Sequence, residues 1–303
     1  MELTLTLAGI NIRISFSGRA EKAINLCTQY FRDFLFPHPT IDAEITVSVL
    51  ETENHPFPFQ TTTGNPVFER LLSTPDEAAW LRELSGHKED FPISQRTISS
   101  FCLGGLLLFD PDTASGRIYL LNSGPECFKP LYRLFWIYFA QVFGESDGFF
   151  IHAMALVKGK KGYLFMGDSG AGKSTLASLC KEHIVFSDDS PIFRKQDGGC
   201  YVFPSPYHQF DPLKGLGRTV TAMRAEIKGL YFLIQDNRVY LENVSKRKAI
   251  SIIINRHIHF FLYLSTGARS SIFNIICEAC DKLPTYNFHF RQDRNIRSAT
   301  IGQ

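Results

Sequence analysis

Residues 167–174 combine glycines with a lysine and a serine at the spacing of a phosphate-binding loop. They read Gly-Asp-Ser-Gly-Ala-Gly-Lys-Ser and match G-x-x-x-x-G-K-[ST]. The three glycines let the backbone curl, so that successive N–H groups point at phosphate oxygens. Lys173 supplies a positive charge for the β- and γ-phosphates, and the Ser174 hydroxyl is suited to ligate Mg²⁺.

The flanking segments are those that such a loop requires. Gly162–Met166 is a short apolar run typical of a buried strand, and Ser174–Lys181 has the spacing of a helix. The alternative is a glycine-rich turn with an incidental lysine. We predict a site for ATP or GTP with Mg²⁺. The residues expected to contact the nucleotide are Gly167, Asp168, Ser169, Gly170, Ala171, Gly172, Lys173, Ser174 and Thr175.

A pair of aspartates follows the short apolar strand Ile184–Phe186. Asp188 and Asp189 lie about fifteen residues after Lys173. Phosphoryl transfer needs a carboxylate to hold Mg²⁺ and often a second one to accept the proton of the acceptor hydroxyl. The alternative is a solvated turn or a helix N-cap, because Asp-Asp-Ser-Pro also favours turns.

One histidine, His152, lies in the apolar segment Phe149–Val157, which we predict to be a single strand. The turn Lys158–Lys161 joins this segment to the strand before the loop, so the two strands are expected to pair. Pairing would bring His152 beside the phosphates, where a carboxylate and the imidazole would tune each other's pKa. The alternative is a histidine satisfied inside the core.

These pieces together resemble the catalytic domain of HPr kinase/phosphorylase. That family shows a strand with a histidine, a turn, a strand, GDSGxGKS, a helix and an Asp-Asp pair, and this chain has them in the same order over about 149–203. The resemblance is closer to the HPr-kinase-like proteins that include kinases of lasso-peptide precursors. Thr175 stands where the bifunctional enzymes often carry an acidic residue, so phosphorylase activity and HPr as a substrate stay open.

The resemblance implies a fold and residue roles. The fold would be α/β, with the P-loop core of PEP carboxykinase and HPr kinase, a mixed sheet, and a smaller α+β region before it. Lys173 and Ser174 would bind phosphate and Mg²⁺. Asp188 would be the general base, Asp189 would support the metal, and His152 would assist the base.

The function we expect is an NTP-dependent kinase that acts on a hydroxyl, first of all a serine of a peptide or protein. A small hydroxyl compound is an alternative acceptor, and a homo-oligomer is possible. Two other classes stay open: a nucleotide-binding regulator without turnover, and a carboxykinase-like enzyme acting on a small acid. The last class needs arginines that converge on carboxylates. The candidates are Arg218, Arg224, Arg256 and Arg269.

The amino-acid composition argues against several classes of protein. The 303 residues are 44% apolar and 20% charged, with a net charge of +2, as in ordinary globular proteins. No charge run indicates nucleic acid or a membrane surface, and no signal peptide is recognisable, so we expect a cytoplasmic protein. Seven cysteines do not indicate a disulfide framework, and the lone C-x-x-C of Cys277 and Cys280 is expected to be buried thiols in a helix.

Hydrophobic patterns place the remaining elements. The polar break 144–148 divides the chain into an N-terminal α+β region, 1–146, and a catalytic domain, 147–303. Tight turns between strands predict a mixed sheet in the second part. Further predicted strands are Leu3–Leu7, Ile10–Phe16, Ala43–Leu50, Thr97–Phe109, Gly116–Asn122, Ile192–Arg194, Tyr201–Phe203, Ile227–Gln235, Val239–Leu241 and Tyr286–Arg291. Short turns predict three hairpins among them: Leu3–Leu7 with Ile10–Phe16, Ile192–Arg194 with Tyr201–Phe203, and Ile227–Gln235 with Val239–Leu241. Predicted helices are Arg19–Leu35, Pro75–Leu84, Cys127–Phe143, Ser245–Asn255 and Arg269–Lys282, and Pro56–Pro66 is predicted to be a loop.

Overall fold

The protein folds into two compact units of mixed α/β structure, Met1–Glu145 and Ser146–Gln303. A computed structural model describes residues 1–49, 68–71, 96–102, 105–120, 128–180, 183–208 and 221–291. The predicted loop Pro56–Pro66 and helix Pro75–Leu84 lie outside the described residues. Within the described ranges, no helix is long and apolar enough to cross a membrane.

The first unit contains a seven-stranded mixed sheet in the order β1-β2-β3-β7-β6-β5-β4. The pairs β2–β3 and β3–β7 are parallel, and the other pairs are antiparallel. The strands are β1 (Glu2–Leu7), β2 (Ile10–Ser17), β3 (Ala43–Val49), β4 (Phe68–Leu71), β5 (Ile98–Cys102), β6 (Gly105–Asp110) and β7 (Ser115–Leu120).

Within the described part of this unit, the helices are α1 (Glu21–Tyr30) and α2 (Phe128–Gly144), with a 3-10 turn at Arg32–Phe34. Helix α2 lies on β5, β6 and β7. Aromatic side chains fill this core, and the rings of Phe31 and Phe135 meet edge to face at 5.5 Å. The frequent phenylalanines of the sequence therefore serve packing here.

The predicted strand Thr97–Phe109 is wrong as a single element. The segment forms two strands, β5 and β6, which pair antiparallel with Cys102 opposite Gly105. Apolar residues continue through both strands, so the pattern did not reveal the reversal. The pair Gly104-Gly105 was the available turn signal.

The second unit contains a nine-stranded mixed sheet. Its strands are β8 (Gly148–Phe150), β9 (Ala153–Lys158), β10 (Lys161–Met166), β11 (Ile184–Ser187), β12 (Ile192–Gln196), β13 (Gly199–Phe203), β14 (Ala225–Gln235), β15 (Tyr240–Asn243) and β16 (Thr285–Phe290). Its helices are α3 (Lys173–Leu179), α4 (Lys246–Arg256) and α5 (Thr266–Lys282), and a 3-10 turn lies at Phe261–Tyr263. Strand β10 pairs antiparallel with β9 and parallel with β14, as a mixed sheet requires.

The predicted strand Phe149–Val157 is interrupted at Ile151 and His152. Strand β8 pairs with β12, whereas β9 pairs with β10 and β11. The two strands thus have different neighbours in the sheet. Because both strands are buried, their residues are apolar throughout, and the sequence shows no break between them. His152 consequently lies at a strand break and not inside a strand.

The predicted hairpin of Ile227–Gln235 and Val239–Leu241 is also wrong. Strand β16 lies between its two strands, parallel to β14 and antiparallel to β15. The N–H of Asp236 donates to the carbonyl of Phe290 at 2.9 Å, so the chain leaves β14 along the inserted strand. The short connection between β14 and β15 indicated that these two strands pair. Instead β14 pairs with β16, about fifty residues later in the chain.

Helix α3 packs on one face of the central strands. Leu176 and Cys180 join a buried cluster with Phe165, Leu233 and Phe288. This core anchors the helix on β10, β14 and β16, and it fixes the loop that connects β10 to α3.

Candidate active site

The segment 167–174, here called the glycine loop, connects β10 to α3. Gly170 and Gly172 have left-handed backbones, with φ of +82° and +101°. A Cβ atom on Gly167 would lie 2.6 Å from Cβ of Ala171. Glycine is therefore required at two positions by backbone conformation and at a third by close packing.

Lys173 begins α3 and folds back over the glycine loop. Its Nζ atom donates to the carbonyl oxygens of Gly167 at 2.7 Å and Asp168 at 3.4 Å. The side chain is buried, and burial lowers the pKa of Lys173, an effect opposed by the charges of Asp189, Asp168 and Asp188. Of these three carboxylates, Asp189 has the largest effect.

Asp189 follows β11 and is held by two neighbours. Nε2 of His152 lies 3.3 Å from Oδ1, and the Ser190 hydroxyl donates to Oδ2 at 2.9 Å. Burial alone would raise the pKa of Asp189, but the hydrogen bonds from His152 and Ser190 and the electrostatic effect of His152 and His259 leave it below its usual value. The carboxylate is therefore ionised at neutral pH.

Asp188 is almost fully buried, with 3% of its surface exposed. The turn that carries both aspartates is fixed by Ser187, whose Oγ accepts from the N–H groups of Asp189 at 3.2 Å and Ser190 at 2.9 Å. The carboxylate that His152 contacts is that of Asp189, to which the family resemblance assigns the metal.

The break between β8 and β9 places His152 beside the aspartates. The backbone N–H of His152 donates to the carbonyl of His257 at 2.7 Å, and that of Ala153 donates to the carbonyl of Asp189 at 3.0 Å. Three chain segments therefore meet at His152. The loop, the aspartates and this histidine all lie at one end of the strands β10, β9 and β11, as their antiparallel registers require.

Two histidines that the sequence analysis missed, His257 and His259, complete this cluster. Nε2 of His259 lies 3.0 Å from Oγ of Ser190, and its ring centre is 5.3 Å from that of His152. Burial lowers the pKa values of His257 and His259 to about 4, so both rings are neutral at pH 7. Their alternation in the sequence Arg-His-Ile-His, directly after a helix, is the signal that could have located them.

Polar side chains also contact the rim of the glycine loop. Nε2 of Gln235, at the end of β14, donates to the carbonyl of Gly170 at 2.8 Å. The Arg256 guanidinium lies 3.4 Å from the Asp168 carboxylate, and both side chains are exposed. Asp168, Ser169 and Gly170 are exposed, whereas Ser174 and Thr175 are half-buried at the start of α3.

The described arginines contact different elements. Arg224 lies over the ring of Tyr201 at 4.5 Å, Arg269 donates to Thr266 within α5, and Arg256 contacts the loop. Arg218 lies outside the described residues. Among the described residues, Arg224, Arg256 and Arg269 therefore do not converge on one place, as binding of the carboxylates of a small acid would require.

The donor set of the site suits Mg²⁺ bound together with a nucleotide. In the described part of the chain, no group of three or more His, Cys, Asp or Glu side chains could hold a metal ion by itself. Mg²⁺ usually takes only one or two carboxylates and completes its shell with phosphate oxygens and water. The Ser174 hydroxyl and the ionised Asp189 carboxylate are of this type.

The C-x-x-C pair lies in α5, with Cys280 buried and Cys277 half-buried. Burial raises the pKa of the Cys280 thiol to about 12. A thiol at this pKa is neutral at physiological pH and is a poor nucleophile.

Comparisons with known proteins give a structural likeness and no match in sequence. No protein-family model matches the chain, and no curated protein matches it. The solved structure of the Hpr(Ser) kinase/phosphatase from Coxiella burnetii is similar to part of the chain, with 17% sequence identity and a TM-score of 0.29. The similarity covers 48% of this chain and 81% of that protein.

Proposed function

We propose that the protein is a kinase that transfers the γ-phosphoryl group of a nucleoside triphosphate to a hydroxyl, first of all a serine of a peptide or protein. The proposal is supported by one observation: a glycine loop with a buried lysine lies at the same end of the sheet as an ionised aspartate paired with a histidine. Phosphoryl transfer needs these parts, because its catalysis consists of positioning and charge stabilisation.

The residues of the site would divide the work as follows. Loop N–H groups and the Lys173 ammonium would bind the phosphates, and Lys173 would exchange its bonds to loop carbonyls for bonds to phosphate oxygens. Ser174 Oγ and a carboxylate would hold Mg²⁺, which supplies further charge neutralisation. The remaining carboxylate would accept the proton of the acceptor hydroxyl.

The two aspartates require separate tests. The family resemblance assigns the base to Asp188 and the metal to Asp189, whereas His152 is paired with Asp189 in the structure. Asp188→Asn and Asp189→Asn each keep the size of the side chain and remove its charge. Loss of a general base lowers the rate about 100- to 10,000-fold.

The experiment measures transfer from γ-labelled ATP with Mg²⁺ to peptide pools with free serines, to small hydroxyl compounds and to small carboxylic acids. Wild type should transfer label, and each of the two variants should lose transfer while nucleotide binding, measured by calorimetry, persists in at least the base variant. Asp197→Asn, in the exposed turn between β12 and β13, is the matched control and should behave as wild type.

Tight nucleotide binding without transfer to any acceptor would contradict the kinase proposal and favour a nucleotide-binding protein without turnover. Transfer to small acids alone would favour the carboxykinase-like class.

A further inference from the structure

Both oxygens of the Asp189 carboxylate are held by hydrogen-bonded partners. His152 contacts Oδ1 from one side at 3.3 Å. On the other side Ser190 donates to Oδ2 at 2.9 Å, and the same Ser190 Oγ lies 3.0 Å from Nε2 of His259. A chain of hydrogen bonds therefore runs from His259 through Ser190 to Asp189.

The number of protons available determines which group donates in each of these hydrogen bonds. A serine hydroxyl has one proton, and Ser190 donates it to Asp189. Its Oγ must then accept from His259, so the His259 ring carries a proton on Nε2. Ser190 is fully buried, which makes replacement of this donor by water costly.

The backbone around His259 is tied to the segment that carries His152. The N–H of His259 donates to the carbonyl of Phe150 at 3.1 Å, and Ile258 forms a β-bridge with Ile151. Phe260, directly after His259, has a left-handed backbone with φ of +58°, which is unfavourable for a bulky side chain. Strain of this kind persists where the surrounding structure over-determines the backbone.

We propose that His259 is a positioning residue of the site: through the Ser190 hydroxyl it fixes the orientation of the Asp189 carboxylate relative to the glycine loop, without touching nucleotide or acceptor. This inference rests on the proposed kinase function. An aspartate held at both oxygens keeps one rotamer, and a misplacement of about 1 Å at a reacting group costs about 100-fold in rate.

The kinetic test uses the full chain and compares His259→Ala with His259→Gln. The alanine variant should lower kcat about 10- to 100-fold and leave the nucleotide KM within about twofold, because the glycine loop is intact. Glutamine places an amide N–H near the position of Nε2 and should restore most of kcat. If His259 served packing alone, the ability of glutamine to donate a hydrogen bond would not restore kcat.

Coupling to Ser190 is the second kinetic criterion. Ser190→Ala should lower kcat by a similar factor, and the double variant with His259→Ala should lose no more than either single one. His183→Ala, at the opposite end of β11, is the control and should leave kcat unchanged. If the losses in kcat of the two single variants multiply in the double variant, the proposal is overturned. It is also overturned if kcat of His259→Gln is as low as that of His259→Ala.

A readout without activity separates this inference from the kinase proposal. Correlation spectra of the histidine ring nitrogens at pH 7.5 should show His259 neutral with its proton on Nε2, and Ser190→Ala should change that signature. A neutral ring with its proton on Nδ1, which leaves Nε2 without a hydrogen to donate, would overturn the positioning role even in an active kinase. If wild type transfers no phosphate while the Nε2 signature is present, the kinase proposal fails and the hydrogen-bonded chain stands.

Discussion

At the scale of single residues, Lys173 determines the electrostatics of the glycine loop. The side chain is only 8% exposed, and its ammonium is bonded to backbone carbonyls of the loop itself. A buried ammonium needs such partners, because desolvation without them would cost several kcal/mol. A bound triphosphate would offer it charged oxygens instead, and a hydrogen bond to a charged group is worth about 1.5–3 kcal/mol.

Lys173→Met should therefore lower the affinity for a nucleoside triphosphate about 10- to 100-fold, which calorimetry measures. The methionine keeps the apolar stem packed, so the thermal unfolding temperature should change little. Lys158→Met removes an exposed lysine at the end of β9 and should leave affinity unchanged. Equal nucleotide affinities of wild type and Lys173→Met would show that Lys173 does not contribute to nucleotide binding.

Gly170 tests the shape of the loop. Gly170→Ala would force an alanine into a backbone with φ of +82°, at an expected cost of about 1–2 kcal/mol, although no atom lies within 4 Å of the new Cβ. Gly159, between β9 and β10, has φ of +65° and equally open surroundings. Both variants should lose similar stability in urea unfolding, but only Gly170→Ala should weaken nucleotide binding. A parallel loss of affinity in Gly159→Ala would show that the effect is global.

The sequence predicted the residues of the site that follow one another in the chain. The glycine loop and the Asp pair are contiguous motifs, so their chemistry is visible without a fold. His259 was missed because its partner Ser190 lies 69 positions away, and no local pattern connects the two. His152 was identified, but its place at a strand break depends on pairing with other segments.

At the scale of elements, α5 is attached to the sheet by a three-membered ion cluster. Glu278 on this helix accepts from Lys195 of β12 and from Lys282, one turn along the helix at 2.7 Å. The hydrogen bonds from Lys195 and Lys282 lower the pKa of Glu278 to about 2. The attachment therefore depends on the ionised carboxylate.

The pH dependence of stability follows from this shift. Because the folded pKa of Glu278 lies below the usual value of 4.5, its contribution is complete above that pH and is lost as the pH falls towards about 2. The difference in unfolding free energy between wild type and Glu278→Gln should be largest at pH 7 and shrink below pH 4.5, as measured by urea unfolding. Lys195→Met removes the partner and should reproduce the trend. A difference that is constant with pH would contradict the assignment.

Most elements could be predicted from hydrophobic period and turn residues, whereas strand partners could not. The hairpin of β1 and β2 and the hairpin of β12 and β13 each have a local turn signal, and both are confirmed. The insertion of β16 beside β14 is a long-range pairing, and it buries Phe288 and Phe290 in a core that no local window contains. Period-2 patterns report burial and not the identity of a neighbour.

At the scale of the whole molecule, every described residue of the candidate site belongs to the second unit, Ser146–Gln303. That unit has its own sheet and its own buried cluster around α3. The first unit has a separate sheet, and its sequence contains no chemical motif. We therefore expect nucleotide binding and acceptor recognition to be separable.

A chain that starts at Ser146 should bind a nucleoside triphosphate with an affinity within about threefold of the full chain, since compact units usually fold alone. Calorimetry on both proteins measures this. If the first unit docks the acceptor, the short chain should also phosphorylate a peptide more slowly while its nucleotide KM stays the same. A short chain that folds, as judged by circular dichroism, but does not bind would show that the site needs the first unit.

The three successive amides at the β8–β9 break have a dynamic consequence. The N–H groups of Ile151, His152 and Ala153 donate to the carbonyls of Pro191, His257 and Asp189, at 3.1, 2.7 and 3.0 Å, and so to two other chain segments, the turn after β11 and the segment after α4. Exchange of these hydrogens with deuterated solvent requires the segments to separate. Their exchange rates thus report how often the site comes apart, and a ligand that tightens the site would slow all three together.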